Sequence, residues 1–232
     1  MSFFSIFSKK TKKEKVKEDN KIIKIPDEQK DVPKGKVITI AREFGSGGRE
    51  VALKVAEKLG YKFYDKEGII SIAKDKGIDA ELFEQVDEKN MDKFWFTVSK
   101  MAYDIPSDDN SFEAKVCNDK MFMIQSDTIR ELAKTGNVVF VGRCASYILK
   151  HIAKKVFVIA DMDDRIKRIE KRYNLSKEEA KKLIEVADKK REKYYDYYTN
   201  TKWNDFKNYD LVLNVSEIGI DGAVNKIADL VK

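Results

Sequence analysis

One stretch of the sequence, residues 38–50, decides the fold, and it reads ITIAREFGSGGRE. Its first four residues are apolar or β-branched, which is typical of a buried strand. Gly45, Gly47 and Gly48 follow, and an apolar pattern at helical spacing begins at Val51. Glycines allow the chain to form a concave nest of backbone N–H groups, and a helix N-terminus adds partial positive charge. The order of strand, glycine loop and helix therefore predicts a phosphate-binding loop; a glycine-rich turn without a ligand is the alternative.

The loop departs from the phosphate-loop pattern GxxxxGK[ST] at the lysine. When Gly47 is aligned with the second glycine of the pattern, Gly48 takes the lysine position and Arg42 takes that of the first glycine. Guanidinium groups bind phosphate oxygens bidentately, so we expect Arg42 or Arg49 to supply the missing cation. Glu50 lies close to the position of the hydroxyl that normally meets Mg²⁺, and its carboxylate is a candidate metal ligand.

Five short β-branched or aromatic segments are strand candidates. Their hydrophobicity is nearly continuous, which suits strands that are buried on both faces, and helical patterns separate them. We therefore predict an α/β fold in which helices cover both faces of a parallel sheet. The candidates are residues 37–41, 61–64, 137–141, 156–160 and 210–214.

Helical patterns also define two larger segments. The second and third strand candidates are separated by a region with helical spacing, and we interpret residues 74–135 as an inserted helical subdomain. Ser176 and Glu179 form a capping box that opens a long charged helix. That helix ends near a run of tyrosines, which we expect to pack or to lie on the lid surface rather than to stack on a base. They are Tyr194, Tyr195, Tyr197 and Tyr198.

The net charge of +6 resides almost entirely in residues 1–36, which hold 11 lysines and 6 acidic residues. The remaining body is nearly neutral, so we expect no general nucleic-acid binding by the folded part. We interpret residues 1–36 as a solvated, disordered tail and residues 37–232 as the folded domain. A second interpretation is a weak membrane-surface contact, in which the aromatic residues of Phe3 to Phe7 insert beside anionic headgroups.

Composition excludes several classes of protein. No apolar run approaches the roughly 18 to 20 residues that a membrane-spanning helix needs. Cys117, Cys144 and His151 are too few and too scattered to form a structural zinc site. The apolar patch between Phe3 and Phe7 is shorter than the core of a secretory signal, so we expect a reducing, cytoplasmic location.

Taken together, these segments resemble the cytidylate kinase-like family within the P-loop nucleoside monophosphate kinases. The similarity is carried mainly by REFGSGGRE at residues 42–50 and VVFVGRCASYIL at residues 138–149. It covers most of residues 37–230 and leaves the N-terminal tail outside. The resemblance implies a P-loop NTPase-type five-stranded parallel sheet, a helical NMP-binding insertion, and a helical lid over residues 171–200.

The resemblance also implies a reaction and roles for residues. It implies transfer of a phosphoryl group from ATP, with Mg²⁺, to a nucleoside monophosphate, and CMP or dCMP is the expected acceptor. Arg49, Arg143 and Arg191 are the expected catalytic cations. The residues expected to bind the donor phosphates are Arg42, Gly45, Ser46, Gly47, Gly48, Arg49 and Glu50.

Asp65, Gly142 and Arg143 match positions that bind the acceptor nucleotide in such kinases. Each follows a predicted strand, and open α/β sheets bind ligands at the carboxyl ends of their strands. Lys66 and Glu67 begin a helical pattern, so an N-cap is the alternative role for Asp65. Cys144 is expected to be a small buried residue rather than a reactive thiol.

The lid region carries further candidates. Arg165, Arg168 and Arg172 recur at a spacing that places them on one helix face. Asp188 and Arg191 resemble the lid charge pair of cytidylate kinases. For each of these residues, a solvated charged face is the alternative. Because the lysine is missing, a catalytically weak, nucleotide-binding regulatory or scaffold protein is the alternative to a kinase.

Overall fold

The structure is a computed structural model that describes residues 33–75 and 112–232. Nearly all of the predicted N-terminal tail and more than half of the predicted insertion at residues 74–135 lie outside these ranges. Both interpretations of the tail therefore stay predictions.

The described strands form one five-stranded parallel sheet, as the sequence predicts. The strand order is β2-β3-β1-β4-β5, so the first strand lies in the centre. Each neighbouring pair is parallel, and Ile40 of the central strand pairs with Val141 on one side and Val156 on the other. The strands are β1 (Val37–Arg42), β2 (Lys62–Tyr64), β3 (Val138–Val141), β4 (Ala153–Ile159) and β5 (Leu211–Asn214).

Helices connect the strands and cover both faces of the sheet. Two of them, α1 (Gly48–Leu59) and α7 (Val215–Leu230), pack against each other. Their apolar side chains form a buried cluster with one face of the sheet. The other face packs against α3, α4 and the end of α6. The helices are α1 (Gly48–Leu59), α2 (Lys66–Asp75), α3 (Phe112–Lys134), α4 (Ala145–Ile148), α5 (Met162–Tyr173), α6 (Lys177–Thr199) and α7 (Val215–Leu230).

Successive side chains of β1 point to opposite faces of the sheet and therefore contact different helices. Val37 and Ala41 belong to the cluster with α3 and α4, whereas Ile38 and Ile40 belong to the cluster with α1 and α7. All four side chains are buried. This two-sided burial explains why the strand reads as a continuous apolar run rather than an alternating one.

Helix α6 forms most of the segment predicted as a lid, residues 171–200, and its C-terminal end packs in the core. Its N-terminus is the predicted capping box: the Ser176 hydroxyl accepts the Glu179 N–H, and the Glu179 carboxylate accepts the Ser176 N–H. At its other end, the Tyr198 ring stacks on Phe122 of α3 with 3.9 Å between ring centroids. Tyr195 and Tyr198 are buried, which confirms that they pack in the core.

Because all strands are parallel, the carboxyl ends of β1 and β3 lie side by side at one edge of the sheet. This edge is where open α/β sheets bind ligands, and both of the predicted glycine-containing segments lie there. In the described part of the chain, no helix is long and apolar enough to cross a membrane.

Candidate phosphate-binding site

The glycine loop after β1 has a fixed internal shape. Gly45 and Gly47 have φ angles of 81° and 83°, a region that glycine adopts without the strain that a Cβ introduces. The hydroxyl of Ser46 is buried; it donates to the Glu43 carbonyl at 2.9 Å and accepts the Gly48 N–H at 3.4 Å. The loop leads directly into the N-terminus of α1 at Gly48. The sequence-predicted order of strand, loop and helix is therefore present.

Gly48 has no room for a side chain. A Cβ at this position would lie 2.5 Å from Cβ and 3.0 Å from Cγ of Arg42, and 3.3 Å from Cβ of Val158. Arg42 therefore occupies the space through which a side chain at position 48 would have to leave the helix. The arginine at position 42 and the glycine at position 48 are a matched pair.

The Arg42 side chain extends toward the segment that follows β3. A Cβ on Gly142 would overlap Nη1 of Arg42, so the guanidinium lies directly against the Gly142 backbone. Burial, followed by the positive charges of Arg191 and Arg143, lowers the pKa of Arg42 well below its usual value. The charges of Arg191 and Arg143 thus disfavour the charged form of Arg42, and a bound anion would offset this effect.

The turn that carries Arg143 is strained. Gly142, Arg143 and Cys144 have φ angles of 73°, 54° and 55°, three left-handed residues in succession. Only the first is a glycine, and non-glycine residues in this region cluster at functional sites. The Arg143 guanidinium lies 6.0 Å from the centroid of the Tyr194 ring. Burial raises the pKa of the Cys144 thiol, which agrees with the prediction of an unreactive buried residue.

A pocket opens between these segments. Its lining includes Arg42, Arg143 and Arg191, together with Thr39, Ser146 and Trp203. The Thr39 hydroxyl is buried and has no hydrogen-bond partner in the described part of the chain. Buried polar groups are almost always hydrogen-bonded, so this hydroxyl is available to a ligand that enters the pocket.

Helix α6 docks onto the glycine loop through two side chains. Nη1 of Arg191 donates to the Arg42 carbonyl at 3.1 Å, and its guanidinium lies 5.2 Å from the Phe44 ring centroid. Oδ1 of Asp188 accepts the Phe44 N–H at 2.7 Å. Burial is the main cause that lowers the pKa of Arg191, and Asp188 opposes it. The predicted pair of Asp188 and Arg191 is therefore in contact with the loop.

The three arginines predicted on one face of α5 do not act alike. Arg165 is buried and pairs with Asp188, and Arg168 donates to the Gly45 carbonyl at 3.2 Å. Arg172 is exposed and lies over the ring of Tyr173. The helix therefore presents two arginines to the loop, while the third belongs to the solvated face.

Arg49 and Asp65 form an ion pair beside the loop. Nε and Nη2 of Arg49 contact Oδ2 of Asp65 at 3.0 and 2.7 Å, and the Arg49 side chain is 53% exposed. The other carboxylate oxygen of Asp65 accepts the Gly68 N–H at 3.1 Å, which is the helix-capping role that the sequence left open. Burial alone would raise the pKa of Asp65, but this hydrogen bond and Arg49 together lower it.

Comparison with known proteins identifies the family of this chain. The sequence profile of the cytidylate kinase-like family matches residues 37–217. The chain belongs to the cytidylate kinase-like family. It is 30% identical over 195 residues to a cytidylate kinase of Pyrococcus horikoshii, covering 82% of this chain and 86% of the relative. It is 28% identical over 201 residues to a cytidylate kinase of Methanocaldococcus jannaschii, covering 84% and 97%.

Solved structures support the fold of this cytidylate kinase-like protein. An uncharacterized protein from Eubacterium ventriosum is similar with a TM-score of 0.63 and 26% identity, covering 84% of this chain and 98% of that one. A protein called TT1252 from Thermus thermophilus has a TM-score of 0.50 at 16% identity, covering 85% and 98%. The latter similarity concerns the fold alone.

The donors for a metal are sparse in this cytidylate kinase-like protein. Among the described residues, no group of three His, Cys, Asp or Glu side chains is placed to hold an ion. Glu50, the predicted ligand, is exposed and lies 3.6 Å from Nζ of Lys54. One exposed carboxylate would suffice only for a Mg²⁺ ion held mainly by substrate phosphates and water, which is how this ion usually binds in kinases.

Three residues that the structure brings to this candidate site were not singled out by sequence reasoning: Thr39, Glu43 and Trp203. Thr39 lies within β1, where the apolar pattern gave it no special role. Glu43 is part of the glycine-loop motif, yet its partner Arg165 is 122 positions away along the chain. Trp203 follows α6 and carried no motif.

Proposed function

We propose that this protein transfers the γ-phosphoryl group of ATP to a nucleoside monophosphate, with CMP or dCMP as the acceptor. The observation that carries the proposal is the convergence of Arg42, Arg143 and Arg191 on one pocket beside the glycine loop. Phosphoryl transfer requires little covalent chemistry from the protein and depends on positioning and on cationic charge. The relatives named cytidylate kinase support the class of reaction and suggest cytidine nucleotides as the acceptor.

On the donor side, the backbone of residues 45–50 cradles the triphosphate, and Arg42 supplies the cation in place of the lysine. Arg42 is preferred over Arg49 because it faces the pocket, whereas Arg49 is exposed and paired with Asp65. In this proposal, Arg49 positions Asp65 at the start of α2. Arg191 approaches from α6 and stabilises charge on the transferred group.

On the acceptor side, Arg143 binds the phosphate of the monophosphate. The adjacent Gly142 allows the chain to turn sharply after β3, so that the guanidinium reaches the pocket. The Thr39 hydroxyl offers a further hydrogen bond within the same pocket. These groups recognise a phosphate and leave the base to be recognised elsewhere.

In the reaction, an oxygen of the acceptor phosphate attacks the γ-phosphorus of ATP. A new P–O bond forms, the bond between the γ-phosphorus and the β–γ bridging oxygen breaks, and ADP leaves. Mg²⁺, when bound by the donor phosphates with Glu50 nearby, supplies additional charge neutralisation. The arginines orient the two anions in line and offset the repulsion between them. We place this activity in the cytoplasm, where ATP is available and a free thiol such as Cys144 remains reduced.

The proposal is tested by measuring ADP release from ATP and Mg²⁺ with CMP, dCMP, UMP, AMP, GMP and the corresponding nucleosides. We expect turnover that requires a monophosphate, is highest with CMP or dCMP, and is lost in Arg143→Ala. The control is Lys154→Ala, which removes the same charge from an exposed position on β4 and is expected to be silent. Calorimetric ATP binding without turnover on any acceptor would instead favour the regulatory or scaffold alternative.

A further inference from the structure

We propose that Arg165 is a positioning residue that holds the glycine loop in its nucleotide-binding shape, acting through Glu43, Phe44 and Asp188. The inference rests on the proposed function, because it assigns the loop a nucleotide to bind. It concerns a contact network behind the loop rather than any group that touches a substrate.

The Arg165 guanidinium is surrounded by loop and lid groups. Its side chain is 5% exposed, Nε donates to the Phe44 carbonyl at 2.8 Å, and Nη1 lies 3.3 Å from the Glu43 carboxylate. Nη2 pairs with Oδ2 of Asp188. One buried side chain on α5 thus contacts two consecutive loop residues and one residue of α6.

The two carboxylates extend the network to the backbone. Oδ1 of Asp188 accepts the Phe44 N–H at 2.7 Å, so Phe44 is held at both its N–H and its carbonyl. Oε2 of Glu43 accepts the Ala160 N–H at 3.2 Å, at the end of β4. Burial is the main cause that raises the pKa of Glu43, and Arg165 opposes it. The loop is therefore connected to β4, α5 and α6 at once.

The loop also rests directly on α5. A Cβ at Gly45 would lie 3.1 Å from the Arg165 carbonyl oxygen and 3.2 Å from its Cβ. The Phe44 ring stacks on Tyr173 and packs against the cluster between α5 and α6. Phe44 immediately precedes the amides that would cradle phosphate. A shift of about 1 Å in a bound nucleotide can reduce the rate about 100-fold.

A buried ion network that merely stabilises the fold is the competing explanation, and hydrogen exchange distinguishes the two. The variants are Arg165→Lys, Arg165→Met and Asp188→Asn, and the control is Lys167→Met, an exposed position on the same helix. Amide exchange would be measured by mass spectrometry for peptides that contain the loop and, as internal references, for peptides from β5 and α7. KM and kcat would be measured separately for ATP and for the acceptor.

The proposal predicts faster exchange in the loop peptide, by about tenfold or more, with the reference peptides unchanged. It predicts a loss of about 100-fold in kcat/KM for ATP in Arg165→Met, with the KM of the acceptor little changed and partial rescue in Arg165→Lys. Should Arg165→Met fail to fold, Asp188→Asn provides the exchange readout, because it keeps the carbonyl-type acceptor for Phe44 and removes the charge that pairs with Arg165. Its kinetics do not test Arg165 alone, since Asp188 also pairs with Arg191.

Uniform acceleration of exchange across the sheet, or an unchanged loop peptide in folded variants, would overturn the proposal and leave Arg165 with a structural role only. The exchange experiment needs no substrate. If the wild-type protein shows no phosphoryl transfer, the proposed function fails, yet the loop peptide still decides whether Arg165 positions the loop.

Discussion

The pairing of Arg42 with Gly48 makes a prediction that a double substitution tests. Gly48→Lys restores the lysine of the common phosphate-loop pattern, but its Cβ would lie 2.5 Å from Cβ of Arg42. Because the clash is with the Cβ itself, only Arg42→Gly removes it. Gly48 does not have a positive φ angle, so its backbone accepts a lysine. The double variant R42G/G48K therefore loses the clash with Arg42, keeps only the 3.3 Å contact with Cβ of Val158, and carries a cation for the donor phosphates.

The structure sets the expected magnitudes. Arg42→Gly removes a cation from a pocket in which charge develops, a loss of about 10²–10³-fold in kcat, or about 3–4 kcal/mol. Gly48→Lys alone overfills the space beside Arg42 and costs about 1–3 kcal/mol of stability. In the double variant, we expect kcat at least about tenfold above that of Arg42→Gly, since contacting residues couple by about 0.5–3 kcal/mol.

The assay is acceptor-dependent ADP production, with the melting temperature of each variant measured in parallel. The matched control is the double variant R42A/G48K, in which the alanine Cβ keeps the clash and no recovery is expected. Arg42→Gly with wild-type turnover would refute the reasoning, because the cation would then come from elsewhere. Equal recovery in R42G/G48K and R42A/G48K would refute the steric part of the argument.

Three further predictions concern the surroundings of the pocket. Gly142→Ala introduces a Cβ at a φ of 73° that overlaps the Arg42 guanidinium, so steady-state kinetics should show at least about tenfold lower kcat, whereas normal kcat would contradict the contact. Asp65→Asn keeps a good helix cap but loses the pair with Arg49, so chemical denaturation at pH 7 should show a loss of about 0.5–1 kcal/mol. Because the Gly68 N–H and Arg49 together lower the pKa of Asp65 below its ordinary 3.8, this difference should vanish as the pH falls through that lower pKa; persistence in strong acid would exclude the charge of Asp65 as its source. Phe122→Ala should lower the free energy of unfolding by about 3–5 kcal/mol in urea titrations, since the ring is buried against Tyr198, and a loss below about 1 kcal/mol would contradict this packing.

Local signals in the sequence predicted the frame of the site. The glycine loop, the capping box at Ser176 and the continuous apolar strands each depend on residues within a few positions of one another. The structure confirms these elements, with strand boundaries that differ by a few residues at most. Such elements are readable because backbone geometry and burial impose short, regular spacings.

Local sequence patterns could not show which arginine faces the pocket, because the deciding contacts join residues that are distant along the chain. In the sequence, Arg42 and Arg49 were both candidates for the phosphate cation, and Arg49 was the one expected to be catalytic. Their difference arises because Asp65, 16 positions later, pairs with Arg49, while Gly142 leaves space beside Arg42. The network around Arg165 likewise joins residues from 43 to 188, and no local pattern encodes such a contact.

The most direct test of phosphoryl transfer is to follow ATP, Mg²⁺ and CMP with the wild-type protein by ³¹P NMR. The proposed function predicts that the γ-phosphate signal of ATP decreases while ADP and CDP appear in equal amounts, without accumulation of inorganic phosphate. Inorganic phosphate in place of CDP would show that water is the acceptor. That result, or an unchanged spectrum with every monophosphate, would contradict the proposed function.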